Sequence, residues 1–399
     1  MSKLRSGILL LTLFGLAGLS TGCDQEPTPS LYKPDETGKP TPVITEIQPA
    51  NNSLAGIGEI TIIGENFSST VEENIVFFGG TRAEVVSSTT TELVVKSPNV
   101  PQDSLAVKVA VQGAYLFSNT LYYNLLPAVL EYGKFGDFDD NYALAVDKDE
   151  NLYVSLKGRR LVKVSPGADE FEDFARTLSD KASGMKVGPD GGIYYVNVLG
   201  FVFKVEADGS KDGLYARLPG RAYDLDFGPN GNLYCGGGGK AIYRVRPDKT
   251  SEVAADYGEL SIVTIRVYDG YVYVGGTDAT TNEASIWRNK INSADELGPN
   301  DLYFKWTEKI GSQAELLSLT FDEDGVMYVG TTTPDPIYKI FPDGSFEPLY
   351  PGVLEPNTYA MAWGNGNHMY VSRRNSDLQK KRVMIINMQK KSAPYYGRD

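Results

Sequence analysis

Apolar and polar residues alternate along this chain on two length scales. From residue 42 to about 125 the alternation has a period near two, in short runs such as Ile60-Thr61-Ile62-Ile63, Ile75-Val76-Phe77-Phe78 and Leu105-Ala106-Val107-Lys108-Val109. Gly, Asn, Ser and Pro punctuate these runs, and short strands spaced this evenly predict a two-sheet sandwich. Beyond it a longer period takes over. A strand pattern starts at Tyr142, Ser183, Tyr223, Val263, Leu317 and Tyr359, with 40 to 42 residues between starts except for 54 before the fifth. Turn signals follow, among them Asp190-Gly191, Asn230-Gly231, Asp269-Gly270, Asp324-Gly325 and Asn365-Gly366, which supply the positive φ that tight hairpins require. Second strands come next, each with a tyrosine at one column (Tyr153, Tyr194, Tyr234, Tyr273, Tyr328, Tyr370), placed to pack blade on blade. Third strands alternate apolar and basic, as in Phe203-Lys204-Val205, and outer strands are expected at 171–176, 214–218, 252–255, 302–307 and 346–350. Repeats of about 40 residues with four strands each predict a radial ring of six sheets, a β-propeller. The sixth repeat lacks an outer strand after Ile386. Residues 128–132 are expected to supply it and close the ring, which leaves no exposed edge.

The first residues do not fit either pattern. Lys3 and Arg5 precede an apolar run at 8–19, shorter than the roughly 20 residues of a spanning helix. Ser20, Thr21, Gly22 and Cys23 follow, so the segment resembles a bacterial lipoprotein signal, in which Cys23 accepts lipid and becomes the first residue of the mature chain. An ordinary secretory signal with an incidental cysteine is the alternative. Residues 24–41 are poor in apolar groups and read as a flexible tether. Asp24 and Glu26 directly behind the cysteine resemble the surface-export signal of Bacteroidetes lipoproteins; in an enterobacterial host the same aspartate would imply inner-membrane retention.

The alternating segment at 42–125 resembles the IPT/TIG immunoglobulin-like family. Ile44-Thr45-Glu46-Ile47-Gln48-Pro49, Ile63-Gly64-Glu65-Asn66-Phe67, Phe78-Gly79-Gly80-Thr81-Arg82-Ala83 and Ser118-Asn119 carry the likeness. The resemblance implies a spacer or interaction module. Residues 127–391, with their Pro-Asp-Gly cadence, resemble NHL-repeat and gluconolactonase-like six-bladed propellers, and 392–399 are left as a C-terminal tail. The fold class is therefore all-β, an immunoglobulin-like sandwich followed by a six-bladed propeller.

Composition narrows the chemistry. With 51 Asp+Glu against 38 Lys+Arg the chain is acidic, which argues against nucleic acid as a partner. One histidine and two cysteines leave little for a catalytic triad or a disulfide framework. Gluconolactonase-like enzymes place Asn and Asp metal ligands at the entry to their innermost strands. The corresponding column here holds Tyr, Ser, Tyr, Val, Leu and Tyr, so neither that metal site nor any other cofactor is expected. Asp137, Asp139 and Asp140, in the loop entering the first blade, are weak candidates for Ca²⁺; a solvated acidic loop is the plainer reading. The glycines at 236–239 before Lys240 lack the Ser/Thr and helix of a phosphate loop and read as a strand connection. Cys235 reads as a buried apolar residue, and Lys186, Asp226 and Arg266 share a column where they would pair near the channel.

Loops entering the innermost strands, and those joining second to third strands, open on one face of a propeller. Tyr142, Tyr223 and Tyr359 stand at that face, with Asn141, Arg221, Glu315 and Asn357 nearby in sequence. Tyrosine combines a flat apolar ring with a hydroxyl, which suits a sugar's C–H face and polar edge. The expected function is non-catalytic binding of a glycan or other small ligand at the channel mouth, on a lipid-anchored outer-membrane protein displayed at the cell surface. The alternatives are a lactonase-like hydrolase or lyase, a scaffold partnering an outer-membrane transporter, and tyrosines that merely plug the channel. The longer fourth repeat, around 276–285, is expected to overhang the same face.

Overall fold

The structure, a computed structural model, describes residues 38–375 and 380–398. Cys23, the signal segment and most of the tether lie outside them. Among the described residues no helix is long and apolar enough to cross a membrane.

Eight strands between Val43 and Leu126 build the sandwich. Its core gathers the inward half of each alternating run: Ile44, Ile60, Ile62, Val76, Phe78, Leu93, Val95, Val107 and Val109 are at most 2% exposed. The strand Thr81–Ser88 joins the two sheets. Its first residues pair with Asn74–Phe78, and after Ala83 it pairs with Glu92–Lys96 across a bulge between Val85 and Ser87. Asn119 explains part of the family likeness, because its side-chain amide accepts from the Ile44 N–H and donates to the Ile44 carbonyl at 2.8 and 2.9 Å. A side chain thereby serves as one more rung beside the first strand.

Six four-stranded antiparallel sheets follow, five of them running from the hub outward in chain order and the sixth taking its outer strand from the segment before the first blade. In the first blade the strands are Asn141–Val146, Leu152–Leu156, Arg160–Val164 and Glu172–Arg176. Second strands such as Leu152–Leu156 are buried on both faces, which is why they read as continuous apolar runs. Each apolar cluster draws on neighbouring blades: Ala145, Tyr153 and Leu161 of the first pack with Met185, Ile193 and Tyr195 of the second. All six tyrosines of the second-strand column are at most 5% exposed. Three of them hydrogen-bond to an acid in their own blade's first turn, Tyr153 to Asp147 (3.1 Å), Tyr194 to Asp190 (3.0 Å) and Tyr328 to Asp322 (3.0 Å).

The ring closes as the pattern required: Val129–Glu131 pairs with Lys380–Asn387, matching Val129 to Ile386 and Glu131 to Met384. The fourth outer strand is shorter than expected. It ends at Phe304, and Trp306 begins a five-residue helix, Trp306–Ile310, instead. Trp306 is fully buried and its indole N–H donates to the Ala314 carbonyl at 2.6 Å, so the chain turns inward to seat the ring.

The last residues are no loose tail. Ala393 N–H donates to the Phe321 carbonyl, Ser392 Oγ to the Gly364 carbonyl, Tyr395 hydroxyl to the Val187 carbonyl, and Arg398 to the Trp363 carbonyl. Together with the ends of the inner strands of blades one, two, four, five and six, they line a small cavity of ≈ 40 Å³. Inner strands of a propeller run in the same direction, so their ends lie opposite the mouth. The segment is a strap across the far end of the channel.

Candidate functional site

The face where the inner strands begin holds a cavity of ≈ 470 Å³. Its border includes the whole entry column read from the repeat: Tyr142, Ser183, Tyr223, Val263, Leu317 and Tyr359. Tyr359 is 46% exposed, and Tyr142 and Tyr223 are partly buried with their rings bordering the space. The glycine run seats one of them. Gly237 and Gly238 have φ of +116° and +64°, and a Cβ there would lie 2.6 Å from Tyr223 Cβ and 2.7 Å from Tyr223 Cζ. Only glycine tolerates both the left-handed backbone and the ring against it. The connection that looked at first like a phosphate loop is a cradle for Tyr223.

Lys181 and Arg374 also line the cavity, and sequence reasoning missed both. Lys181 Nζ lies 4.0 Å from the centroid of the Tyr142 ring, and the Arg374 guanidinium carbon 4.1 Å from it and 5.0 Å from that of Tyr359. Burial pushes the Tyr142 hydroxyl up, but hydrogen bonding from Lys181 and the charges of Arg374 and Lys181 outweigh it and hold the group below the ordinary phenol value. Val198 and Leu199 form an exposed apolar rim, held by Asn197, whose side-chain oxygen accepts the N–H groups of Leu199 and Phe201. A signal for Arg374 and Asn197 existed: both lie where second strands give way to third strands, the loops expected on this face.

The other expected residues divide. Glu315 lines the cavity. Asn141 does not; it is fully buried and accepts a hydrogen bond from Ser372 Oγ. Arg221 is exposed and off the lining, and Asn357 donates to the Arg374 carbonyl instead of bordering the space. The 276–285 stretch does not reach it either, because Thr277 pairs with Ala284 in an extended hairpin. Asp137, Asp139 and Asp140 face Arg382, Arg160 and Lys381 respectively. Among the described residues no three His, Cys, Asp or Glu side chains gather as a metal site.

Below the mouth the channel narrows past Met185, Thr264, Ser318 and Met361 to Lys186 and Arg266. Arg266 pairs with Asp226 at 3.4 Å and donates to Thr320, and Asp226 also accepts the Val267 N–H at 2.8 Å. Asp226 is fully buried, and burial holds its carboxyl above the usual range against the pull of Arg266 and Lys186. Burial, aided by Arg266, brings Lys186 down to about 8. Cys235 is fully buried in the interblade core, and burial pushes its thiol up.

Comparison with known proteins matches residues 42–124 to the IPT/TIG domain family. No curated protein matches the chain. Among solved structures, an auxiliary nutrient binding protein from Bacteroides thetaiotaomicron is 13% identical, with a TM-score of 0.52 over 89% of this chain and 98% of that one. A second auxiliary nutrient binding protein, from Bacteroides ovatus, is 15% identical, with a TM-score of 0.51 over 90% and 99%. Regucalcin, a calcium-binding protein from Agrobacterium tumefaciens, is 14% identical, with a TM-score of 0.53 over 66% of this chain and 95% of that one. At such identities the likeness to these structures is one of fold alone, and a fold hosts many functions.

Proposed function

We propose that this protein binds a saccharide without transforming it, at the mouth of the propeller. The observation that carries the reading is the convergence of Tyr142, Tyr223 and Tyr359, from three blades, on one cavity of ≈ 470 Å³. That size lies within the range of roughly 300–1,000 Å³ typical of small-molecule sites. Flat rings with hydroxyl edges match a sugar's mixed surface, Glu315 adds an acceptor, and Val198 and Leu199 extend the apolar wall. The strap closes the far end, so a ligand would enter and leave by the mouth. The names of the two Bacteroides structures support a role in nutrient capture. In this reading Cys23 carries the lipid, the IPT/TIG domain is the spacer, and the mouth is displayed at the outer surface of the outer membrane. An outer-membrane transporter is the fitting partner.

A glycan array probed with the full chain tests the proposal. Binding is expected, and Tyr142→Ala, Tyr223→Ala and Tyr359→Ala should each weaken it by about ten-fold or more, in line with the loss of a buried aromatic anchor. Binding that survives all three substitutions would exclude the mouth as the site.

A further inference from the structure

Resting on the saccharide reading above, we propose that the ligand is anionic: a sugar bearing a carboxylate or a sulfate ester, which seats that group between Lys181 and Arg374 beside Tyr142. The two cations reach one ring from different blades, Lys181 from the entry to the second and Arg374 from the end of the second strand of the sixth. Like charges gathered on one ring repel each other, and an anion placed between them removes that cost. The nearby acids are engaged elsewhere. Asp180 accepts the Gly158 N–H, and Asp140 is paired with Lys381. Among ion pairs between described residues, those near the mouth engage Asp140, Arg373 and Lys240 and none is made by Lys181 or Arg374, although the charge of Arg374 reaches Asp140 and helps Lys381 hold its carboxyl below the usual range. Glu315, the other acid of the cavity, enters from the fifth blade.

The geometry also suits the chemistry of recognition. The Arg374 guanidinium carbon lies 4.1 and 5.0 Å from the centroids of the Tyr142 and Tyr359 rings, and a guanidinium carries five N–H donors suited to a planar carboxylate or a sulfate. Lys181 adds a point charge. Hydrogen bonding from Lys181 and the charges of Arg374 and Lys181 hold the Tyr142 hydroxyl below the ordinary phenol value despite its burial. A neutral glycan would need none of this, since rings and hydroxyls alone would hold it.

The test is calorimetry on the full chain with three probes of equal length: an oligogalacturonate, a sulfated galactan oligosaccharide and a neutral galactan oligosaccharide. One charged probe should bind about ten-fold or more tighter than the neutral one, and its affinity should fall as salt is raised. Which of the two charged probes wins tells carboxylate from sulfate. Lys181→Ala and Arg374→Ala should each cost the charged probe about ten-fold more than the neutral one, and Lys181→Arg should restore most of the preference. Thermal melts of each variant separate lost recognition from lost folding, and the salt dependence of the unaltered chain needs no variant at all. Equal affinity for charged and neutral probes would overturn the anionic inference while leaving the saccharide reading standing. No binding by any probe or array glycan would overturn both.

Discussion

Tyr142 shows how far a single side chain's behaviour follows from its neighbours. A half-buried phenol should ionise late, yet Lys181 and Arg374 stabilise its phenolate and the shift is downward. In an ultraviolet pH titration one phenol should therefore ionise ahead of the others. Tyr142→Phe should remove that early phase, and Lys181→Ala or Arg374→Ala should move it to higher pH. An early phase that persists in Tyr142→Phe would show that the charges do not act there. The tyrosines themselves were legible in sequence, because the repeat places a fixed column at the mouth and all six of its members border the cavity. Lys181 and Arg374 stand outside that column: the place of Arg374 at the end of a second strand put it on the right face, but only folding brings it and Lys181, from two other blades, onto the Tyr142 ring. Asn141 misled for a related reason: one residue before Tyr142 on an extended strand, it turns to the opposite side and is buried.

At the scale of the strand and its turn, the tyrosine column joins two jobs, packing between blades and fixing the hairpin. The Asp322 carboxylate accepts the N–H groups of Asp324 and Val326 and the hydroxyl of Tyr328, so one acid holds the turn and the ring together. Tyr328→Phe keeps the packing and loses that bond, and should cost about 1–2 kcal/mol. Tyr328→Ala leaves a cavity between blades as well and should cost about 3–5 kcal/mol. Denaturant titration of the two variants checks the difference; equal costs would mean that the hydrogen bond, not the ring, carries the column. Strand order and turns were readable because period-two alternation and Asx-Gly turns are local signals. The helix at Trp306–Ile310 was not, because what bends the chain there is a carbonyl eight residues on, at Ala314, that receives the indole.

For the molecule as a whole, the six-sheet ring was legible from repeat arithmetic and the strap was not. Residues 392–398 carry no repeat signature, and their role comes from filling a hole that exists only once the ring has closed. Truncation after Lys391 removes buried Ala393 and the tyrosine packed over the Lys186–Asp226–Arg266 cluster. It should lower stability by about 3 kcal/mol or more. It should also change the pH profile. Lys186 titrates near 8 in the folded chain, whereas an exposed lysine titrates near 10.5. Between those values the unfolded chain holds a proton that the folded one has lost, so the Lys186 contribution to stability grows as pH rises from about 8, until the buried Cys235 thiol and tyrosines, which the fold keeps protonated, pull the other way. Water admitted by truncation restores Lys186 towards its ordinary value and should flatten that rise. Urea denaturation at several pH values tests it, and an unchanged slope would show that the strap does not keep the cluster dry.

The pairing of Val129–Glu131 with Lys380–Asn387 also sets an order of events on the ribosome. Translation delivers the rim of the sixth sheet before any blade exists, and its partner only after the other five have been made. Until then that short segment waits with its backbone groups facing water, and the growing chain is an open arc with an unguarded flank at each end. The circle can close only after Lys380–Asn387 has been made, so a product ended before that strand is left an arc and has no finished mouth to offer.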